Sequence, residues 1–157
     1  MIQTKAVTGR RELSFDTLRA ALRDAESFGA KGPSRTLGNW TAAQIVEHVA
    51  ITIDFSVDGF PPEMRPGLPL RLLGRLMKKS FVRNRMKPGF TLPRKMQAFL
   101  PSPDVSWGRA MDHLRRAIDR FEKAGALSNS PFLGTMSRED WVNLHRHHAE
   151  MHFSFMG

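Results

Sequence analysis

The chain has no cysteine. That excludes a disulfide framework and every zinc site built on thiolates, and it fits a reducing compartment. Tyrosine is missing too, which removes the phenol as a catalytic acid. Nowhere do the roughly eighteen consecutive apolar residues of a membrane-spanning helix occur. No apolar export signal is seen near the start, where Arg10-Arg11 is followed by the amphipathic ELSFDTLRA. The expectation is a soluble cytoplasmic protein. GxSxG, P-loop and GxGxxG motifs are all absent, so the common nucleophile and nucleotide signatures are missing. No alternating Val/Ile-rich segment argues for a sheet. One further absence is local: between Met64 and Pro103 there is no acidic residue, while ten Lys or Arg fall there.

What is present suits a single helical domain spanning 1–157. A length of 157 residues with 41 % apolar content is enough to bury a core without staples. The formal charge of +9 belongs to one place. Outside Met64 to Pro103, fourteen basic side chains stand against fifteen acidic ones. The body is therefore near neutral, and the basicity sits in an insertion at about 60–101.

Residues 1–12 are polar and read as a loosely held arm. Helix one is expected from Ser14 as N-cap, with Asp16 in its first turn and Leu18, Leu22 and Ala25 at helical spacing. Gly29 and Gly32-Pro33-Ser34 should end it. Helix two opens on a capping box, Thr41 with Gln44, and Trp40 is placed to staple onto Ile45. It should run to Asp58-Gly59, after which four prolines and two glycines in GFPPEMRPGLP break the helix. A basic helix is expected over Leu70 to Met86, ended by Pro88-Gly89, with Leu73, Leu76, Met77 and Phe81 on one face. An extended connection follows over Phe90 to Pro103. Helix three should start with Ser102 as N-cap and Pro103 at N1, and carry the seam Trp107, Met111, Leu114, Ile118 and Phe121. Ala124-Gly125 closes it. Helix four is capped by Ser137 with Asp140, and Met136 is placed to staple onto Trp141. The fold class is all-α, a four-helix bundle with an extra basic helical insertion between helices two and three.

Helix four holds four of the six histidines. In SREDWVNLHRHHAEMHFSF, Trp141, His145, His148 and His152 recur at steps of four, three and four and share one stripe. His148 and His152, at i and i+4, can hold one metal ion if another element supplies a third ligand. His48, in WTAAQIVEHVA, is the candidate for it. Three imidazoles leave a coordination position open, as catalytic sites do, and zinc or nickel would accept them. Histidines near a helix C-terminus also simply complement its dipole, and spacing does not separate the two cases. His145 is either a polar core residue or a supporting partner or proton shuttle beside the site. His147 and His113 are expected at the surface. Glu47 and Glu150 are expected to face elsewhere and are assigned no ligand role.

WTAAQIVEHVA (Trp40 to Ala50) and HAEMH (His148 to His152) resemble the DinB/YfiT-like superfamily of four-helix bundles. PFLGTMSREDW (Pro131 to Trp141) and the GFPP after helix two look like a subfamily described only as a domain of unknown function. The likeness runs over most of the chain. It implies a divalent metal held by His48, His148 and His152 in an open pocket. Characterised members of that superfamily include thiol-dependent S-transferases and isomerases, and one fold there serves many activities. The expectation for this chain is a metal-dependent thiol S-transferase or hydrolase acting on a small thiol or anionic substrate. The basic segment Leu70 to Met86 is longer and more charged than the superfamily's simple crossover, and is expected either to lid the pocket or to block it. The alternative is a non-catalytic binding protein that contacts an anionic partner through the basic helix 70–86. For that helix, docking of its apolar side on the bundle is favoured over an anionic ligand, and a membrane surface or nucleic acid comes last. A homodimer is compatible with this sequence.

Overall fold

The structure is a computed structural model that describes residues 2–30, 35–89 and 94–157. Among these residues there are five α-helices and no strand. They are α1 (Leu18–Ala30), α2 (Ala42–Asp58), α3 (Leu68–Arg83), α4 (Trp107–Lys123) and α5 (Arg138–Phe153). Both α1 and α2 pack against α4 and α5, and α3 packs against α5. That adjacency is compatible with a four-helix bundle carrying α3 as an insertion. No helix among the described residues is long and apolar enough to cross a membrane.

Local chemistry sets the helix starts where polar side chains meet free backbone N–H groups. Thr41 Oγ1 accepts from Gln44 N at 3.2 Å and Gln44 Oε1 accepts from Thr41 N at 3.0 Å. At α5, Ser137 Oγ accepts from Asp140 N at 3.0 Å and Asp140 Oδ2 from Ser137 N at 2.9 Å. Each cap stabilises its helix by about 1 kcal/mol. At α2's other end, Gly59 takes a φ of +92°, and its N–H bonds to Phe55 O.

Two expected starts lie further along the chain. α1 begins at Leu18, not after Ser14, and Thr17 Oγ1 accepts from Ala20 N at 3.1 Å. The reason is that Phe15 belongs to α5: its N–H donates to Glu150 Oε1 at 2.8 Å and its carbonyl accepts from Arg146 Nε. α4 begins at Trp107 with Ser106 as N-cap, because Ser102, Pro103 and Asp104 form a turn of their own. Gly29 does not end α1 but sits in its last turn under Trp107, where a Cβ would come within 2.5 Å of the indole Nε1. The expected breaker Gly32-Pro33-Ser34 lies outside the described residues. The N-terminal arm is also held, not loose. Arg11 pairs with Asp24 at 2.8 Å and donates to Phe153 O, while Arg10 stacks over Phe155.

The α4 seam is the core's spine. Met111, Leu114, Ile118 and Phe121 are all buried, as are Val46, Val49 and Ile53 of α2 and Phe153 of α5. Trp107 is half-buried, against Phe28 at 5.9 Å. Truncating Phe121 to Ala would cost about 3–5 kcal/mol, the usual loss for a buried aromatic.

α3 departs most from expectation. Its leucine face does not dock: Leu76 is 80 % exposed, and Leu73 and Met77 are exposed too. The helix meets the protein through Gly74 and Val82, which are buried, and through Lys78, whose Nζ lies 2.6 Å from both Thr135 O and Asp140 Oδ2. Of the four expected contacts Phe81 alone turns inward, edge-on to Phe132 at 6.0 Å. Gly74 makes this close approach possible, since a Cβ there would overlap the Phe132 carbonyl. The helix ends at Arg83, before Pro88-Gly89. Beyond it, Phe90 to Pro93 lie outside the described residues, and Arg94–Phe99 form 3-10 turns, not the expected extended chain.

Candidate metal centre

His48 projects from the second turn of α2, whose rotation is set by the capping box and by the burial of Val46 and Val49 on either side. The rotation of α5 is set by Glu150. Its carboxylate is buried, accepts the Phe15 N–H and faces His147 Nδ1 at 3.1 Å. With α5 so oriented, His148 and His152 face α2. The three rings converge, with centroids 5.0 Å apart for His48 and His148 and 4.5 Å for each pair that includes His152. One ligand nitrogen from each lies within 4.8 Å of the other two. These three residues form a group that could hold a metal ion.

Hydrogen bonds decide which nitrogen each ring can offer. His48 Nδ1 lies 2.6 Å from the Phe99 carbonyl oxygen, which can only accept, so Nδ1 carries the proton. Thr52 Oγ1 donates its one hydrogen to Val49 O at 2.8 Å, so His148 Nδ1, 3.2 Å away, must donate to Thr52. Both Nε2 atoms are thereby left as lone-pair donors, and they face one another at 3.2 Å. Two lone pairs held so close repel unless a cation or proton lies between them. Ligands about 2.0–2.1 Å from a tetrahedral zinc stand about 3.3–3.4 Å apart, so the gap suits an ion.

A proton is the poorer occupant. His48 is held below the ordinary histidine pKa by burial, with the Phe99 hydrogen bond pulling the other way. His148 is pushed well below by burial first, and then by the histidines around it. His152 is lowered by burial and by His48. Neutral imidazole is the form that binds metal. Trp40 closes one side, stacked on His152 at 5.7 Å and tilted on His48 at 4.9 Å. His148 and His152 keep part of their surface open to solvent, while His48 is buried. Two surface grooves follow Asp54, Asp58, Glu47 and His113, and none of the three histidines lines them.

The remaining histidines serve other purposes. His145 is buried in the core, stacked on Trp141 at 5.2 Å and edge-on to Phe121. Its Nε2 lies 3.0 Å from Ser56 Oγ, which gives its own proton to Ile53 O, so His145 donates. Burial brings its pKa down to about 3. His147 is half-buried against Glu150, not exposed. His113 is likewise half-buried, held between Asp54 at 2.7 Å and Glu47 at 2.9 Å. Its pKa is raised, first by Asp54, against the effect of burial, and then by Glu47. Glu47 and Glu150 are thus engaged away from the three rings, as expected.

The family model described as "Protein of unknown function (DUF1569)" matches residues 7–157. The chain belongs to this family. The match spans α2 and α5, so all three converging histidines lie inside the family domain. No curated protein and no solved structure matches the chain.

Three residues of the site were not apparent as such in the sequence. Thr52 sits one turn beyond His48 on the same helical stripe, a signal that was there to be used. Trp40 reads as a local staple, yet its ring covers the histidines. Phe99 carries no signal at all, because a backbone carbonyl delivered by a long connection leaves no mark in side-chain pattern. The helix expected over the pocket, α3, packs on α5, and the insertion reaches the histidines through the Phe99 carbonyl.

Proposed function

We propose that α1, α2, α4 and α5 form a DinB-like four-helix bundle whose His48, His148 and His152 bind one divalent cation, zinc or nickel. The protein is then a metal-dependent enzyme of thiol-transfer or hydrolytic type, acting on a small substrate at the partly open side of the cluster. The observation that carries this is the pair of Nε2 lone pairs facing each other at 3.2 Å, with both Nδ1 protons committed elsewhere. A cation at that point supplies Lewis acidity, which draws the pKa of a thiol or water ligand toward neutrality.

The chain's own groups do the positioning. The Phe99 carbonyl and Thr52 hold protons on the Nδ1 atoms and keep the ligating nitrogens free. Trp40 excludes water from one flank of His48 and His152. Zinc and nickel match the all-imidazole donor set better than magnesium or calcium, which prefer oxygen. Without a carboxylate among the ligands, the site would carry the full charge of the ion. That favours an anionic ligand such as a thiolate. We read His145 as a support that joins α5 to α2 through Ser56.

The test is metal analysis and calorimetry on protein purified without a polyhistidine tag. One equivalent of zinc or nickel should bind to the wild type and be lost in His148→Ala and His152→Ala, with helicity retained. Failure of the folded wild type to bind either ion would end this assignment. Thiol-transfer and ester-hydrolysis assays on the loaded protein then separate the two reaction classes.

A further inference from the structure

We propose that α3 is an interfacial helix that seats the protein on an anionic lipid surface through its leucine face. This stands apart from the histidine cluster and rests on how the helix is mounted. Most amphipathic helices of folded proteins turn their apolar stripe inward; α3 turns its stripe outward. Leu68 is 71 % exposed, Leu72 59 % and Leu76 80 %, and Leu70, Leu73 and Met77 are exposed beside them. The opposite side is held against the protein by Gly74 on the Phe132 carbonyl, by Val82, and by Lys78 bonded to Thr135 O and Asp140. Its outward orientation is therefore built in, with a buried glycine and an ion pair behind it.

Charge complementarity selects the occupant. Arg75, Lys79 and Arg83 are exposed along the same helix, and no acidic residue falls anywhere between Met64 and Pro103. A helix with leucines outward and cations following them along the same face matches a bilayer interface, where the apolar side chains enter the acyl boundary and the cations meet anionic headgroups. Lysine and arginine stems can extend along the leucines while their charged ends stay among those headgroups. A second copy of the chain fits less well, because joining two such faces would oppose like charges with no local carboxylate to offset them. Nucleic acid fits poorly too. It has no use for outward leucines, and the helix's one aromatic, Phe81, is turned toward Phe132 and not available for stacking.

The experiment is co-sedimentation of the full chain with vesicles of phosphatidylcholine alone and of phosphatidylcholine mixed with phosphatidylserine. Binding is expected to the mixed vesicles and to weaken as salt is raised. Leu72→Glu with Leu76→Glu should lower partitioning by about tenfold or more. Lys79→Glu with Arg83→Glu should abolish the preference for phosphatidylserine. All four side chains are exposed, so both variants should keep the wild-type circular dichroism. Any of four results overturns the proposal: no sedimentation, equal binding to neutral vesicles, a dimer in light scattering that the leucine variant dissolves, or tighter binding to duplex DNA than to the mixed vesicles.

Discussion

Glu47 and His48 are neighbours on α2, yet they lead into opposite electrostatic environments. From Glu47 the chain reaches His113, which lies between two carboxylates and is biased toward the charged form. From His48 it reaches two more imidazoles with no carboxylate among them, and all three are biased toward the neutral form. The residue type is the same, and what differs is whether burial or a paired charge dominates. His113 joins α2 to α4 as a structural ion pair, with Arg120 extending the network through Asp54 at 2.6 Å. The cluster around His48 brings three ligand nitrogens within 4.8 Å of one another, an arrangement that a cation would complete.

The largest effect expected of this contrast is on metal binding. His148→Ala should abolish stoichiometric zinc or nickel binding, while His113→Gln should leave it intact, as read by metal analysis. At a free metal concentration of 100 times Kd, the wild type should gain about 2.7 kcal/mol of stability that the His148 variant lacks. Equal metal content in the two variants would erase the distinction drawn here.

Acid stability comes next. The folded-state pKa of His145 is lowered from 6.5 to about 3 by burial, so the unfolded chain takes the proton first. Its contribution is fully present above about 6.5 and is lost as pH falls toward 3, at up to about 1.4 kcal/mol per pH unit. Urea unfolding of His145→Gln should show a flatter pH profile across that window. His113 should behave in the opposite sense. Its raised pKa makes its contribution complete below 6.5 and lost as pH climbs through the folded-state value. His113→Gln should cost about 1–2 kcal/mol at pH 5, from two charge-assisted hydrogen bonds, and less at pH 9. The last effect is the most local. Thr52→Val removes the acceptor for the His148 Nδ1 proton and should weaken metal affinity about tenfold, measured by calorimetry, without changing the fold.

Much of the helical frame was legible from periodicity and caps. Thr41 with Gln44 and Ser137 with Asp140 announce two helix starts, and the seam from Met111 to Phe121 announces a buried stripe. His148 and His152 could be paired from their spacing, because four residues of α-helix bring side chains to the same face. The side of α3 that meets the protein was not legible. An amphipathic pattern says that a helix has two unlike faces; it does not say which one has a partner. Here the partner is the Phe132 carbonyl, reached through a glycine, with Lys78 turned inward beside it. His113 was misplaced for a similar reason: it lies off the apolar seam of its own helix, and its two carboxylates both come from α2.

By itself, then, the sequence determined an all-helical chain with local caps, a basic acid-free insertion and a pair of histidines one helical turn apart. Those properties depend on residues within a few positions of each other, so the linear order suffices. Tertiary structure decided which imidazole nitrogens face one another, what holds their protons, and that the leucines of α3 look outward. These depend on groups such as the Phe99 and Phe132 carbonyls, which every residue carries and which matter only where the fold delivers them.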